Sequence, residues 1–304
     1  MARHPEAQAG VADLDLSGTS ALVTGSTSGI GRAAARSLAR LGADVIVHGR
    51  DESAGGALAD ELRRLGSDAR FVRADFADID AVRGLADAVR EAFDALDLLC
   101  HNAGGYVRSG RLTDLGVEYT FHVNHLAPYL LTAGLLDHLA PGARVVTTAS
   151  EAHQGASLDL DAVTSVDSYS SFAAYGRSKL ANVQFAMELA RRLDRAGRGV
   201  TSNAFHPGAI PGSGFMRFLP GPLSRLAKGL DRLPVVTSVE EGAAALVRLA
   251  ASPDLDGVSG RYFEKGRPGS PSKEARDQAA QRELWERSAD LLGVEPPLAG
   301  HPRE

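Results

Sequence analysis

A single cysteine, Cys100, stands in 304 residues. That count excludes an internal disulfide and fits a reducing compartment. Its place in the apolar run from Leu96 to Cys100 predicts a small buried side chain. No stretch approaches the roughly 18 uninterrupted apolar residues that would suggest a spanning helix, and Met1 to Gln8 lack the apolar core of a signal peptide. A cytoplasmic protein is expected. Nor is there an excess of positive charge: the net charge is −5, so nothing draws the whole chain to nucleic acid. His122 and His125 lie three apart, a possible metal spacing, but no third ligand follows at a suitable distance, and no metal is expected. There is no Gly-x-Ser-x-Gly elbow, and Ser150 with His153 lacks a third partner, which weighs against a hydrolase. No internal repeat occurs.

What is present is an ordinary globular composition, 44% hydrophobic and 23% charged. Strand and helix patterns alternate along it. Ser20 to Thr24 is a short apolar strand, and Gly25-Ser-Thr-Ser-Gly29-Ile-Gly31 follows it and opens a helix running from Arg32 to Leu41. Strand, glycine turn and helix in that order can seat a pyrophosphate, because the glycines admit the ligand and the helix N-terminus meets its charge. A second strand, Asp44 to His48, leads into Gly49-Arg50. No carboxylate stands at its tip to hold a ribose 2′-hydroxyl, while Arg50 can fork onto a 2′-phosphate. NADP(H) is therefore favoured, and Asp51, next in sequence, keeps NAD(H) open.

The alternation continues with a helix from Glu52 to Leu65, a strand from Ala69 to Arg73, a helix from Ile79 to Phe93 behind the capping Asp78, and a strand from Leu96 to His101. A long helix from about Leu115 to Leu139 carries Asn124, and the strand Arg144 to Ala149 delivers Ser150 at its carboxyl end, where open parallel sheets hold ligands. The helix bearing Tyr175 runs to Ala196, a strand from Val200 to Phe205 ends in His206-Pro207-Gly208, and helix, strand and helix follow at Val239 to Ala251, Arg261 to Phe263 and Lys273 to Leu292.

Tyr175 and Lys179 are four apart, so a helix raises both side chains from one face. A free tyrosine titrates near pH ~10. An ammonium about 5 Å away would favour the phenolate by roughly 3 kcal/mol at an effective dielectric near 20, or about two pK units. The expectation is thus a phenol acidified by its lysine, suited to proton transfer.

Taken together and in order, Thr24-Gly25-x-x-x-Gly29-Ile-Gly31, Asn102-Ala103-Gly104, Asn124, Ser150 and Tyr175-x-x-x-Lys179 resemble the classical short-chain dehydrogenase/reductase family from about Leu16 to Phe263. Ser150-Glu-Ala-His153, Tyr175 to Asn182, His206-Pro-Gly208 and the tail Trp285-Glu-Arg-Ser-x-x-Leu-Leu-Gly293 are similar to its retinol-dehydrogenase-like branch. The resemblance implies an α/β fold: one Rossmann-type doubly wound domain with a mostly parallel seven-stranded sheet and helices on both faces. It implies Tyr175 as the acid/base, Ser150 bonding the substrate oxygen, Lys179 holding the nicotinamide ribose and lowering the tyrosine pKa, and Asn124 anchoring a water that passes the proton on. Cofactor contacts are implied for Gly25, Ser26, Thr27, Gly29, Ile30 and Gly31, for Asp75 and Phe76 at the adenine, for Asn102, Ala103 and Gly104 along the adenosine, and for Pro207, Gly208 and Ile210. The threonine expected four after Gly208 is absent, and Ser213, one residue late, is its candidate replacement. His101 replaces an asparagine common before Asn-Ala-Gly, and Ala149 the first serine of a frequent pair.

The implied parse is an N-terminal arm over 1–15, the catalytic domain over 16–265 and a helical tail over 266–304. A lid over about 209–236 carries Phe215, Met216, Phe218, Leu219 and Leu223 with Arg217, Arg225, Lys228, Asp231 and Arg232; Pro220 and Pro222 break any membrane-facing stripe, so a soluble lid is expected. The expected partners are a small hydrophobic carbonyl or its alcohol, and a homodimer or homotetramer formed through the Tyr175 helix and the one before it. The alternative is a non-catalytic NADP(H)-sensing binding protein on the same fold. That reading predicts damage to the catalytic set, and all four positions are occupied.

Overall fold

The computed structural model describes residues 4–208 and 237–299. The expected lid, with Ile210 and Ser213, lies outside the described residues. Strands form where short apolar runs alternate inward and outward. They are β1 (Ser20–Val23), β2 (Asp44–Gly49), β3 (Arg70–Arg73), β4 (Leu96–His101), β5 (Leu139–Thr148), β6 (Thr201–His206), β7 (Tyr262–Glu264) and β8 (Arg267–Pro268). Their order in the sheet is β3-β2-β1-β4-β5-β6-β7-β8. The first seven are parallel, as expected; the short β8 runs antiparallel to β7 and makes an eighth strand that two residues could not announce in the sequence. The order reverses between β1 and β4, and a crevice opens at such a switch point beyond the carboxyl ends of the strands.

Because side chains alternate along a strand, the sheet feeds two cores. Leu22, Ile46, Leu99 and Val145 face one; Val23, Val45, Cys100 and Val146 face the other. Burial of Cys100 pushes its thiol up to about 12, which makes it an inert filler. The helices behind these faces are α1 (Pro5–Gln8), α2 (Gly29–Arg40), α3 (Glu52–Arg64), α4 (Ile79–Ala92), α5 (Tyr119–Phe121), α6 (Ala127–Leu135), α7 (Ser171–Arg195), α8 (Val239–Ala251) and α9 (Gln278–Leu292). Side-chain caps start several of them: Asp51 accepts from the Ala54 amide, Asp78 from those of Asp80 and Ala81, and Ser238 with Glu241 closes a reciprocal capping box.

Two sequence expectations change. The arm over 1–15 carries α1, whose Glu6 is buried and accepts a 2.7 Å hydrogen bond from Ser37 of α2. The single helix expected from Leu115 to Leu139 is instead α5, a π-helical stretch at His122–Leu126, α6 and a 3-10 turn, and β5 begins at Leu139, before the expected Arg144. The chain's own α9 packs against α6 and α7. Trp285 of α9 stacks on Phe185 at 5.8 Å and meets Tyr129 edge-on at 4.9 Å, while Tyr129 donates to the Trp285 carbonyl. Fully buried Glu188 of α7 binds Arg191 and Arg192, and Arg192 also lies over the Trp285 ring and pairs with Glu286. No helix among the described residues is long and apolar enough to cross a membrane.

Candidate active site

A cavity of about 1070 Å³ opens beyond the carboxyl ends of the strands, large even against the ~300–1,000 Å³ of common small-molecule sites. Its floor is the turn after β1. Thr24 accepts from the amides of Asn102 and Ala103, and the Asn102 side-chain amide donates to the carbonyls of Thr24 and Gly25, so the turns after β1 and β4 are one braced unit. Gly25 has φ +65°, and a Cβ there would come within 2.7 Å of the Ala103 Cα. Gly31 has no room either: its Cβ would lie 2.5 Å from both the Asn102 amide and the Gly25 carbonyl. At Gly29 the same test meets open space, because that position faces the cavity at the start of α2. A glycine cradle closed behind and open in front, under a helix N-terminus, fits a dinucleotide pyrophosphate.

Gly25, Thr27, Gly29 and Ile30 line the cavity, but Ser26 and Gly31 do not. Ser26 is buried, its hydroxyl accepting from the His48 amide at 3.0 Å, and Gly31 serves by letting α2 approach the turn. Gly31→Ala is expected to force apart Asn102 and Gly25. Such overpacking costs about 1–3 kcal/mol, and if it falls on the cradle, NADPH titration followed by fluorescence should show the Kd rising about tenfold or more.

At one end of the cavity, Arg50 extends from the tip of β2, mostly exposed, with Nη1 3.4 Å from the Tyr119 hydroxyl and 3.8 Å from Asp75. Asp75 and Phe76 line the same wall. His48, absent from the sequence-based site, lines it too: its Nδ1 accepts the Gly25 amide at 3.1 Å, Nε2 lies 3.2 Å from the Ala74 carbonyl, and the ring stacks on Phe76 at 4.6 Å. Burial lowers its pKa to about 4, which keeps the ring neutral with Nε2 protonated and Nδ1 free to accept. Its position just before Gly49-Arg50 was the available signal.

At the other end, Ser150, Tyr175 and Lys179 converge with Pro207 and Gly208, and Asn102, Ala103 and Gly104 form the wall between the two ends. Lys179 is 4% exposed; its Nζ donates to the Thr148 carbonyl at 3.0 Å and lies 5.8 Å from the Tyr175 ring centre. The expected acidified phenol is corrected here. Desolvation raises the Tyr175 pKa, opposed by its hydrogen bond with Ser150, and desolvation also draws Lys179 down to about 8. Burial of the pair outweighs the attraction estimated from spacing, because withdrawing charge from water disfavours phenolate and ammonium alike.

Asn124 is not on the cavity lining. The π-helical stretch turns its side chain onto the neighbouring loop, where it exchanges two hydrogen bonds with the Gly105 backbone and donates to Ser178 at 3.0 Å. A Cβ on Gly104 would meet Asn124 Oδ1 at 3.0 Å and Lys179 Nζ at 3.4 Å, so glycine there lets the two groups approach. His122 bonds Thr113 and His125 bonds Ser288. His101 packs beside its strand, bonded to Thr132. Sequence reasoning also missed Tyr106, whose ring meets Tyr175 edge-on at 5.8 Å and whose hydroxyl bonds Ser171, and Phe172, 60% exposed at the cavity wall. Lone aromatics in a loop or in the first turn of a helix carry no periodic signal.

The chain is similar to known proteins. Residues 19–218 match the short chain dehydrogenase family. Over 285 residues the chain is 40% identical to polyprenol dehydrogenase of Mus musculus, covering 91% of this chain and 84% of that protein. It is 37% identical to retinol dehydrogenase 14 of Homo sapiens, over 91% of this chain and 87% of that one. A short chain dehydrogenase from Burkholderia cenocepacia, solved in complex with NADP, superposes with a TM-score of 0.68 at 29% identity, over 83% of this chain and 98% of that one.

Proposed function

Because the chain belongs to the short chain dehydrogenase family, in its retinol-dehydrogenase-like branch, and is an NAD(P)-dependent oxidoreductase acting on CH–OH groups, we propose that it interconverts a hydrophobic aldehyde or ketone and its alcohol with NADP(H). The observation that carries this reading is the convergence of Ser150, Tyr175 and Lys179 on a cavity whose floor is the glycine cradle. The cofactor, when bound, supplies the hydride chemistry. Gly25, Thr27, Gly29 and Ile30 would hold its pyrophosphate, Asp75 and Phe76 its adenine, and Lys179, Pro207 and Gly208 its nicotinamide end. Tyr175 Oη gives a proton to the substrate oxygen in reduction and takes it back in oxidation. Ser150 Oγ, already bonded to Tyr175, steadies the charge on that oxygen. Lys179, held against the Thr148 carbonyl, keeps an ammonium near the phenol, and Asn124 fixes the Gly105 loop beside it.

Two features support NADP(H) over NAD(H). Arg50 stands exposed where a 2′-phosphate would come, and Asp51 turns its carboxylate back to cap α3. An apolar substrate is supported by Tyr106, Val107, Val123 and Phe172 on the cavity wall, and by relatives that act on polyprenol and retinol. The test is cofactor oxidation over a panel of apolar aldehydes and ketones, comparing NADPH with NADH. Loss of a hydrogen bond to a charged group costs about 1.5–3 kcal/mol, so Arg50→Ala is expected to cut kcat/KM for NADPH by roughly 10- to 100-fold and to leave that for NADH within about threefold. No turnover on any carbonyl with either cofactor would overturn the reading. Equal losses for the two cofactors would overturn the role of Arg50.

A further inference from the structure

Ser150 is held through its backbone as well as its hydroxyl. It caps the 3-10 turn Glu151–His153, its Oγ accepting from the Ala152 amide at 3.3 Å. The fully buried ring of His153, last in that turn, folds back so that Nδ1 lies 2.7 Å from the Ser150 carbonyl oxygen. A carbonyl only accepts, so Nδ1 carries the proton. The other nitrogen, Nε2, is then an acceptor, and it receives the Ser272 amide at 3.2 Å. Each ring nitrogen is therefore spent on a main-chain atom, one in the turn after β5 and one 119 residues further along the chain. The ring does not face the Ser150 hydroxyl, which rules it out as a base toward that group in this arrangement.

The attachment is reinforced on both sides. Gln154 donates to the Ser270 carbonyl at 3.1 Å, and Ser272 Oγ accepts from the Ala275 amide at 3.1 Å, fixing the segment that binds His153. The Tyr262 ring of β7 packs on His153 at 4.9 Å. From the opposite side α7 presses on the turn: a Cβ on Gly176 would lie 2.9 Å from the Ala152 carbonyl. Desolvation lowers the His153 pKa, against the opposing pull of its bond to the Ser150 carbonyl and of Glu151 and Glu264, and so favours the neutral ring this bridge needs.

We propose that His153 is a positioning residue which staples the Ser150 turn to the segment 270–276, making the C-terminal part of the chain a support of the reacting end. The proposal rests on the oxidoreductase reading for its effect on turnover, whereas the staple itself is a matter of hydrogen bonding and can be tested without a substrate. His153→Leu removes both bonds at similar bulk. His153→Asn retains a donor at the Nδ1 position, and His153→Gln reaches toward Ser272.

Amide hydrogen exchange, kcat, and NADPH affinity would be measured for wild type and the three variants. In His153→Leu, exchange across 270–276 is expected to speed up about tenfold or more, since loss of the staple releases local opening. Its kcat is expected to fall roughly 10- to 100-fold, the cost of misplacing a reacting group by about 1 Å, with NADPH Kd within about threefold of wild type. The asparagine variant should recover part of kcat, and the glutamine variant part of the exchange protection. Unchanged exchange in His153→Leu, or a wild-type kcat beside accelerated exchange, would overturn the proposal. So would a loss of kcat matched by loss of cofactor affinity and recovered by neither amide, because that pattern is general unfolding of the site. Accelerated exchange in a protein whose wild type turns over nothing would leave the staple standing and remove the oxidoreductase reading.

Discussion

Tyr175→Phe is expected to lower turnover by roughly 10²- to 10⁴-fold, the usual worth of a positioned acid/base, while NADPH Kd stays within about threefold. The substitution deletes one oxygen. It keeps the ring that meets Tyr106 at 5.8 Å, so the cavity wall survives while the proton and the bond with Ser150 are lost. Steady-state kinetics with the best carbonyl from the panel, beside a cofactor titration, separate the two effects. A variant keeping a tenth of wild-type turnover would remove Tyr175 from the chemistry. The direction of its pKa shift adds a pH signature. Burial raises the phenol, so the protonated form needed for reduction persists through neutral pH, and reduction should be flat there. Oxidation needs the phenolate and should climb as pH rises. Lys179, drawn down to about 8, loses its charge over the same alkaline range, so the pair titrates jointly and the observed limb belongs to both.

Trp285→Ala is expected to cost about 3–5 kcal/mol of unfolding free energy, the range for deleting a large buried aromatic. Trp285 is 2% exposed, stacks on Phe185, meets Tyr129 and lies under Arg192, and its Nε1 donates to the Pro297 carbonyl at 3.2 Å. Alanine would leave a cavity between α9 and α7 and strand the Tyr129–Phe185 aromatic cluster on one side. Because this is the one tryptophan in the chain, denaturant unfolding must be followed by circular dichroism in the variant, while fluorescence reports the docking of α9 in the wild type. A loss below about 1 kcal/mol would mean that α9 is only loosely attached, since surface substitutions change stability by about that little.

Glu188 sharpens the same point. It is fully buried on α7 and held by Arg191 and Arg192, a pattern in which the ions are retained by their partners rather than by solvent. In the sequence, Glu188-Leu-Ala-Arg191-Arg192 looks like the solvated stripe of an amphipathic helix. Only the arrival of α9, almost a hundred residues later, turns that stripe into an interior. Helical periodicity marks a face for burial and is silent about which segment buries it.

Local pattern alone determined the strand-turn-helix at Gly25 to Gly31, the alternation that makes a parallel sheet, Ser150 at a strand's carboxyl end, and Tyr175 and Lys179 on one helix face, because each depends on residues a few positions apart. Tertiary structure decided what those residues experience. It turned Ser26 and Gly31 inward, drew Asn124 onto the Gly105 loop through a π-helical stretch, recruited His48, and set the Tyr175 shift upward. Desolvation and close approach are sums over neighbours brought in from distant parts of the chain, and no spacing along the sequence contains them.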